Sequence, residues 1–589
     1  MPLVNSQDWK VSNGIEVSEK ILNEIIKNTS DNLLITAGPG TGKTELLAQR
    51  ACFLLQTGEC KFPRKILSLC FKVDAAKNLK DRVLIRCQEN YKNSFVSMTF
   101  DAFFISIVRK FSCLLPDWLE KLNPNFEVGE FKQIYDLPLN LNEIINEQIK
   151  KDLNQCISAN QLHWNICRSL AYTIIKNNVT VKNLISNAYS YIFLDEFQDT
   201  TTTQYKFIKE LFCCKKNKIT AVGDTNQMIM CWAGANKNIF RIYQNDFNAI
   251  QKDLNINHRS NKDIVDFINY IGQNITIDNE TFVNYESTKK VNNQLSIFAH
   301  EYNDKIEEAT AIAAYINNTL QNNKLLLPDD FALIIRQKAA DYYKQVKYLF
   351  DNANIELRNE DELICTKGLK IQEVIEEPLS NLFLNIFRKK EGIINSNYNK
   401  ELIFSYSQLR NIDISNERQY KKIIEEINNI TQQINYSLGI ETCTNLIVNS
   451  IGSNIKRYKI LSNESDYKKI KKSFDIFFQE CYNNCSTLSC AIDKYLGKNQ
   501  VKLMTVHKSK GLEFNTVFFV DFNSSSWWGL NKAYKENNPD KILEEKNTFF
   551  VGASRAKEKL IFTNSEKNNW PTVITDILNT SEMINDFIV

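Results

Sequence analysis

Between positions 37 and 44 the chain reads AGPGTGKT. Three glycines in such a short span let the backbone turn tightly, so that successive N–H groups face one small volume. A group of that kind suits a chain of phosphates. Lys43 would neutralise the outer phosphates, the Thr44 hydroxyl would hold Mg²⁺, and the helix that starts near Lys43 would add the positive end of its dipole. The expectation is a nucleotide-binding loop made of Ala37, Gly38, Pro39, Gly40, Thr41, Gly42, Lys43 and Thr44. Ala37 stands where such loops usually open with glycine.

A second group of reactive side chains lies in YIFLDEFQDTTTTQ (191–204), an apolar run that ends in adjacent acids. Asp195 is placed to hold the metal, directly or through water. Glu196 is placed to orient and deprotonate an attacking water. Alone, such a pair also reads as the solvated end of a strand; beside a phosphate loop the catalytic reading is the stronger. The 15 cysteines are scattered. Cys481, Cys485 and Cys490, with Cys443 as a conceivable fourth ligand, match no familiar zinc spacing, and ordinary packed thiols are the simpler expectation.

These residues need a scaffold, and apolar runs supply it: LLITA (33–37), KILSLC (65–70), YIFLD (191–195), KITAV (218–222), FALII (331–335), VKLMTV (501–506), TVFFV (516–520) and KLIFT (559–563). Helical stretches separate them, which predicts parallel sheets and an α/β fold. Residues 104–188 and 386–495 read as helical and interrupt that rhythm, and the Asn-rich segment 275–295 reads as a connection. A length of 589 residues implies several domains. Composition is that of a globular chain, 43% apolar and 24% charged, with a net charge of +3 from 72 basic and 69 acidic side chains. That balance neither demands nor excludes a nucleic-acid partner, because a local basic groove matters more than the total. The polar start MPLVNSQDWK resembles no signal peptide, no apolar run approaches the roughly 18 residues of a membrane span, and free thiols suit a reducing cytoplasm.

Taken together, the motifs resemble those of superfamily 1A helicases of the UvrD/Rep/PcrA type. DEFQD is the family's form of the acidic motif. In the family's order come LCFKVDAAKNLKDR (69–82), SMTFDAF (97–103), VGDTNQMIMCWAGA (222–235), LNINHRS (254–260), MTVHKSKGLEF (504–514) and EEKNTFFVGASRAKEKL (544–560). The resemblance implies two RecA-like parallel-sheet cores, each with a mainly helical insertion. The first core would take residues 1–103 and 189–265, with its insertion at 104–188. The second would take 266–385 and 496–589, with a reduced insertion at 386–495. It also implies ATP and Mg²⁺ between the cores, with Gln227 at the γ-phosphate or attacking water. Arg259 and Arg555 would act as cations on the transferring phosphoryl group, His258 would lie beside adenine, and Glu513 and Gly511 near the ribose. Single-stranded or tailed duplex DNA would meet Phe71, Thr99, Phe100, Trp232 and His507, although burial statistics alone also allow Phe71 and Phe100 to be core residues. Movement would run 3′ to 5′.

Several positions depart from the family pattern. The stretch GIEVSEKILNEII (14–26) contains no Gln to read adenine, Glu45 replaces a frequent Arg, and Asp101 replaces a His. His258 replaces a Tyr, and Met230, Cys231 and Ala233 remove a Tyr and an Arg around Trp232. Two readings follow. One is an ATP-driven DNA translocase or helicase, compatible with repair, replication restart or plasmid maintenance. The other is a DNA-gated ATPase subunit acting with a separate nuclease, as in antiphage complexes of the Gabija kind.

Overall fold

All eight apolar runs become strands in a computed structural model of the protein, which describes residues 4–12, 17–87, 89–129, 131–144, 146–213, 216–275, 282–289, 295–366, 368–393, 396–410, 412, 417–457, 467–571 and 585–586. The chain forms two compact units, residues 1–290 with 546–548, and 291–545 with 549–589.

The first unit is built on six parallel strands: β1 (Leu33–Ala37), β2 (Lys65–Cys70), β3 (Phe95–Thr99), β4 (Tyr189–Leu194), β5 (Lys218–Gly223) and β6 (Ile250–Leu254). Their spatial order is β3-β2-β4-β5-β1-β6. Alternation of side chains loads both faces. Leu33, Ile35, Ile66 and Phe193 pack with helix α1 (Lys43–Gln56), while Leu34, Leu67, Ile192 and Leu194 pack on the other face with α2 (Phe100–Phe111) and α3 (Trp164–Asn177). Burial on both sides explains why the central strands read as continuous apolar runs. The edge strand β6 (IQKDL) does not read so, because most of its side chains are exposed. Among the described residues of 104–188 the strands are the two-residue pair Glu127–Val128 and Gln161–Leu162.

The unit extends beyond the boundary expected at 265. Helix α4 (Lys262–Ile275) and the short strand β8 (Glu286–Ser287) belong to it, and β8 pairs with β7 (Ile256–Asn257). Part of the expected 275–295 connection thus carries structure; residues 276–281 and 290–294 lie outside the described residues.

The second unit has a seven-stranded parallel sheet: β9 (Ile297–Glu301), β10 (Phe331–Ile335), β11 (Leu357–Asn359), β12 (Val501–Thr505), β13 (Phe514–Phe519), β14 (Ala556–Asn564) and β15 (Asn585–Asp586), in the order β11-β12-β10-β13-β14-β9-β15. Helices α5 (Lys305–Asn322) and α6 (Ala339–Asn352) cover one face with Phe331, Leu333, Leu503 and Phe518. Between β11 and β12, among the described residues, helices from Pro378–Lys390 to Leu488–Tyr495 enclose their own core, including Phe383, Phe387, Phe474, Phe478 and Tyr495. Cys443 and Cys481 are buried in that helical region, whereas Cys490 is exposed. Among the described residues no cluster of three His, Cys, Asp or Glu side chains is placed to hold a metal ion.

Candidate nucleotide and nucleic-acid sites

β1 ends at Ala37 and α1 starts at Lys43, so the glycine loop occupies the turn between them. Gly40 and Gly42 have φ of 71° and 82°, the left-handed region that favours glycine. Thr41 Oγ1 donates to Gly38 O at 2.9 Å, and Lys43 Nζ donates to Ala37 O at 3.2 Å, so the loop is closed on itself. Thr44 is half-buried in the first turn of α1. The segment after β6 supports the loop from outside. His258 N donates to Gly40 O (2.9 Å), Asn257 Nδ2 donates to Pro39 O (2.8 Å), and the backbone N–H groups of Arg259 and Ser260 both donate to Asn257 Oδ1. The Arg259 side chain packs on Gly40, where an added Cβ would lie 2.6 Å from Arg259 Cβ.

β4 delivers the acids. Asp195 is buried, and burial together with the neighbouring Glu196 carboxylate pushes its pKa up to about 7, against the pull of Lys43. Lys43 therefore lies close to Asp195. Glu196 N donates to Asp195 Oδ1 (2.9 Å), and Glu196 has φ 49°, an uncommon conformation for a residue with a side chain. A chain of amide contacts continues from it. Gln198 Nε2 donates to Glu196 Oε2, Asp224 N donates to Gln198 Oε1, and Gln227 Nε2 donates to Asp224 Oδ2 at 2.8 Å. Burial raises the pKa of Asp224. Sequence reasoning named Glu196 and Gln227 and passed over Gln198, Asp224 and Asn257, which lie inside the same motifs and join them. The carboxylate of Asp195 and the hydroxyl of Thr44 are oxygen donors of the kind Mg²⁺ takes.

Two departures from the family pattern find local partners. Glu45 is bonded by Arg86 (2.5 and 2.9 Å) and Arg82 (3.2 Å), which hold its carboxyl below its ordinary pKa against the effect of burial. Asp101 accepts a forked pair from Arg168 at 2.9 and 3.2 Å, tying α2 to α3.

The residues expected at DNA divide. Trp232 lies in a short 3₁₀ turn, Cys231–Ala233, and is 67% exposed. Phe71 is half-buried just after β2. Phe100 does not fit the expectation: it is 2% exposed and packs on Phe104 in the core. Phe100, Phe103, Phe104 and Ile107 form the apolar face of α2, and helical spacing turns that face inward. Thr99 is likewise buried, and its hydroxyl caps α2 by accepting from Ala102 N.

The second unit carries the remaining candidates. His507 is half-buried in the short helix Val506–Ser509. Gly511 has φ 94° with open space where a Cβ would stand, and the exposed Glu513 is ion-paired with Lys557 at 2.9 Å. Arg555 is buried. Its guanidinium donates to Val551 O (2.8 Å), Leu512 O (3.3 Å) and Ser554 Oγ (2.7 Å).

Comparison with known families agrees with this architecture. A UvrD/REP helicase N-terminal domain matches residues 18–155 and 139–248, and a UvrD-like helicase C-terminal domain matches residues 393–567. The chain belongs to the UvrD/Rep helicase family, within superfamily 1A. It is 25% identical to a probable DNA helicase II homolog of Mycoplasma capricolum, over 95% of this chain and 86% of that protein. It is 25% identical to an ATP-dependent DNA helicase Rep of Buchnera aphidicola, over 90% of each chain. A Staphylococcus aureus ATP-dependent DNA helicase PcrA is 24% identical, over 92% of this chain and 82% of the relative. Among the described residues no helix is long and apolar enough to cross a membrane.

Proposed function

We propose that the protein is an ATP-dependent DNA translocase or helicase that moves 3′ to 5′ along single-stranded DNA. One observation carries the reading: the glycine loop with Lys43, the acids Asp195 and Glu196, and the Gln198–Asp224–Gln227 chain are joined in one unit. That unit also presents Trp232 to solvent.

In this reading the loop N–H groups and Lys43 bind the phosphates of ATP. Thr44 and Asp195 hold Mg²⁺, which supplies positive charge beside the β and γ oxygens when bound. Glu196 orients a water molecule and accepts its proton as the oxygen attacks the γ-phosphorus and ADP leaves. Its contact from Gln198 fixes the carboxylate, and Gln227 links the same chain to the γ-phosphate. His258 lies beside the base; Gly511 and Glu513 are assigned to the ribose. Arg259 and Arg555 stabilise charge on the phosphoryl group. Because Arg555 belongs to the second unit, hydrolysis depends on that unit as well as the first. Trp232 stacks on bases with little sequence preference, and Phe71 and His507 add DNA contacts.

The relatives named above are DNA helicases, and none supports the alternative of a gated subunit beside a nuclease. Strand displacement tests the proposal. The full-length protein with ATP and Mg²⁺ should separate a duplex with a 3′ single-stranded tail and leave a 5′-tailed duplex intact. Preference for the 5′ tail would refute the direction. ATP-independent displacement would refute the coupling.

A further inference from the structure

We propose that Tyr285 is a positioning residue for ATP hydrolysis, setting the spacing between the phosphate loop at Gly38 and the sensor loop at Asn226. The inference rests on the nucleotide-site reading above and adds a residue from outside its motifs. Gly38, unlike Gly40 and Gly42, does not have a positive φ. Its lack of a side chain answers a different need. A Cβ on Gly38 would lie 2.2 Å from Tyr285 Cε1 and Cζ, so the ring rests on the loop backbone.

That ring is itself held from several sides. Asn269 of α4 brackets its backbone, accepting from Tyr285 N and donating to Tyr285 O, both at 2.8 Å. Phe282 meets it edge-on at 5.5 Å, and Phe282 in turn fills the space over Gly272 of the same helix. One residue further on, β8 pairs with β7, which contains Asn257, the residue that donates to Pro39 O. Burial, with the carboxylates of Asp224 and Asp253 nearby, holds the Tyr285 hydroxyl well above its ordinary pKa, and the Asn226 side chain lies close enough to act on it. Asp224 is the acceptor of the Gln227 side chain. The ring therefore braces the loop that carries Lys43, and the hydroxyl lies beside the turn that carries Gln227.

The two contributions separate in steady-state ATPase kinetics of the full-length protein at saturating single-stranded DNA. Tyr285→Phe keeps the ring and removes the hydroxyl. It should lower kcat about fivefold, the rate equivalent of one net hydrogen bond, and leave KM for ATP unchanged. Tyr285→Ala removes the brace from the loop and should also raise KM for ATP about tenfold, within the range that misplacing binding groups can cost. Phenylalanine should rescue KM but not kcat. Wild-type kcat and KM in Tyr285→Phe would overturn the role of the hydroxyl. A Tyr285→Ala defect that scales only with the folded fraction, read from thermal melting, would reduce the ring to filler. A wild-type chain without ATPase would overturn the nucleotide-site reading itself, and this inference with it.

Discussion

Both sheets are parallel, yet their strand-to-helix turns are built for different ends. After β1 the chain runs through GPGTG, with two residues in the left-handed region, before α1 begins. After β10 it runs through only Arg336, Gln337 and Lys338 before α6, with no glycine. There the Arg336 fork closes on Glu545 at 2.6 and 2.9 Å. The acids differ in the same way. Asp195, beside Glu196, lies near the lysine of the glycine loop. In the second unit Asp521 accepts from Ser526, Ser565 and Asn523 and pairs with Lys305, while Glu308 accepts from the Tyr342 hydroxyl and Asp521 N. Acids so fully engaged are structural. The same architecture thus offers a candidate phosphate site where a glycine loop and adjacent acids meet, and a packed polar core where they do not.

The largest expected effect tests whether the second unit adds chemistry at all. Arg555→Lys keeps a charge but loses the planar fork. DNA-stimulated ATP turnover should fall by about 10³–10⁵, the scale of an arginine finger in related phosphoryl transfers. Single-strand binding without nucleotide should stay near wild type. Full turnover in a single-strand titration would confine the chemistry to the first unit.

Smaller effects separate the two aromatic residues of the first unit. Trp232→Ala should weaken single-strand binding by about 1–3 kcal/mol, with similar losses for different base sequences. Phe100→Ala should instead destabilise the fold by about 3–5 kcal/mol, because it empties core volume. Fluorescence anisotropy and chemical denaturation read the two effects. Unchanged DNA affinity in the Trp232 variant would remove that residue from the interface.

The smallest effect belongs to the polar core of the second unit. Burial pushes the Glu308 carboxyl from 4.5 up to about 8, with Asp521 opposing its ionisation further. A raised folded pKa means the native state binds this proton more tightly than the unfolded chain. Its stabilising contribution is complete below about 4.5 and is lost as pH rises through about 8. Glu308→Gln should therefore flatten the fall in thermal midpoint between pH 5 and pH 8.5, by a few degrees at about 2–4 °C per kcal/mol. ATP turnover at pH 7 should be near wild type. An unchanged pH profile of melting would show that Glu308 ionises without cost.

The residues proposed for hydrolysis stand out in the sequence because each motif is local: a glycine turn, a strand ending in acids, a sensor turn. Strands buried on both faces were readable for a similar reason. β6 and β11 were not, since an exposed edge strand and a three-residue strand carry little apolar signal. Phe100 takes the core alternative rather than the DNA one, because its helical spacing with Phe103, Phe104 and Ile107 specifies a buried face. Tyr285 was invisible because its partners Gly38 and Asn226 lie far from it in sequence and no motif surrounds it. Asp101 and Glu45 looked like losses, yet each is paired with an arginine that only the fold brings near.

The most direct measurement compares ATP turnover of the wild type and Glu196→Gln, each with and without single-stranded DNA, alongside nucleotide affinity. The wild type should hydrolyse ATP and accelerate with DNA. Glu196→Gln should keep nucleotide binding and lose about 10²–10⁴ in turnover, the contribution of a general base. Turnover at the wild-type rate in that variant would contradict the account, because the acid at the end of β4 would then not be the base.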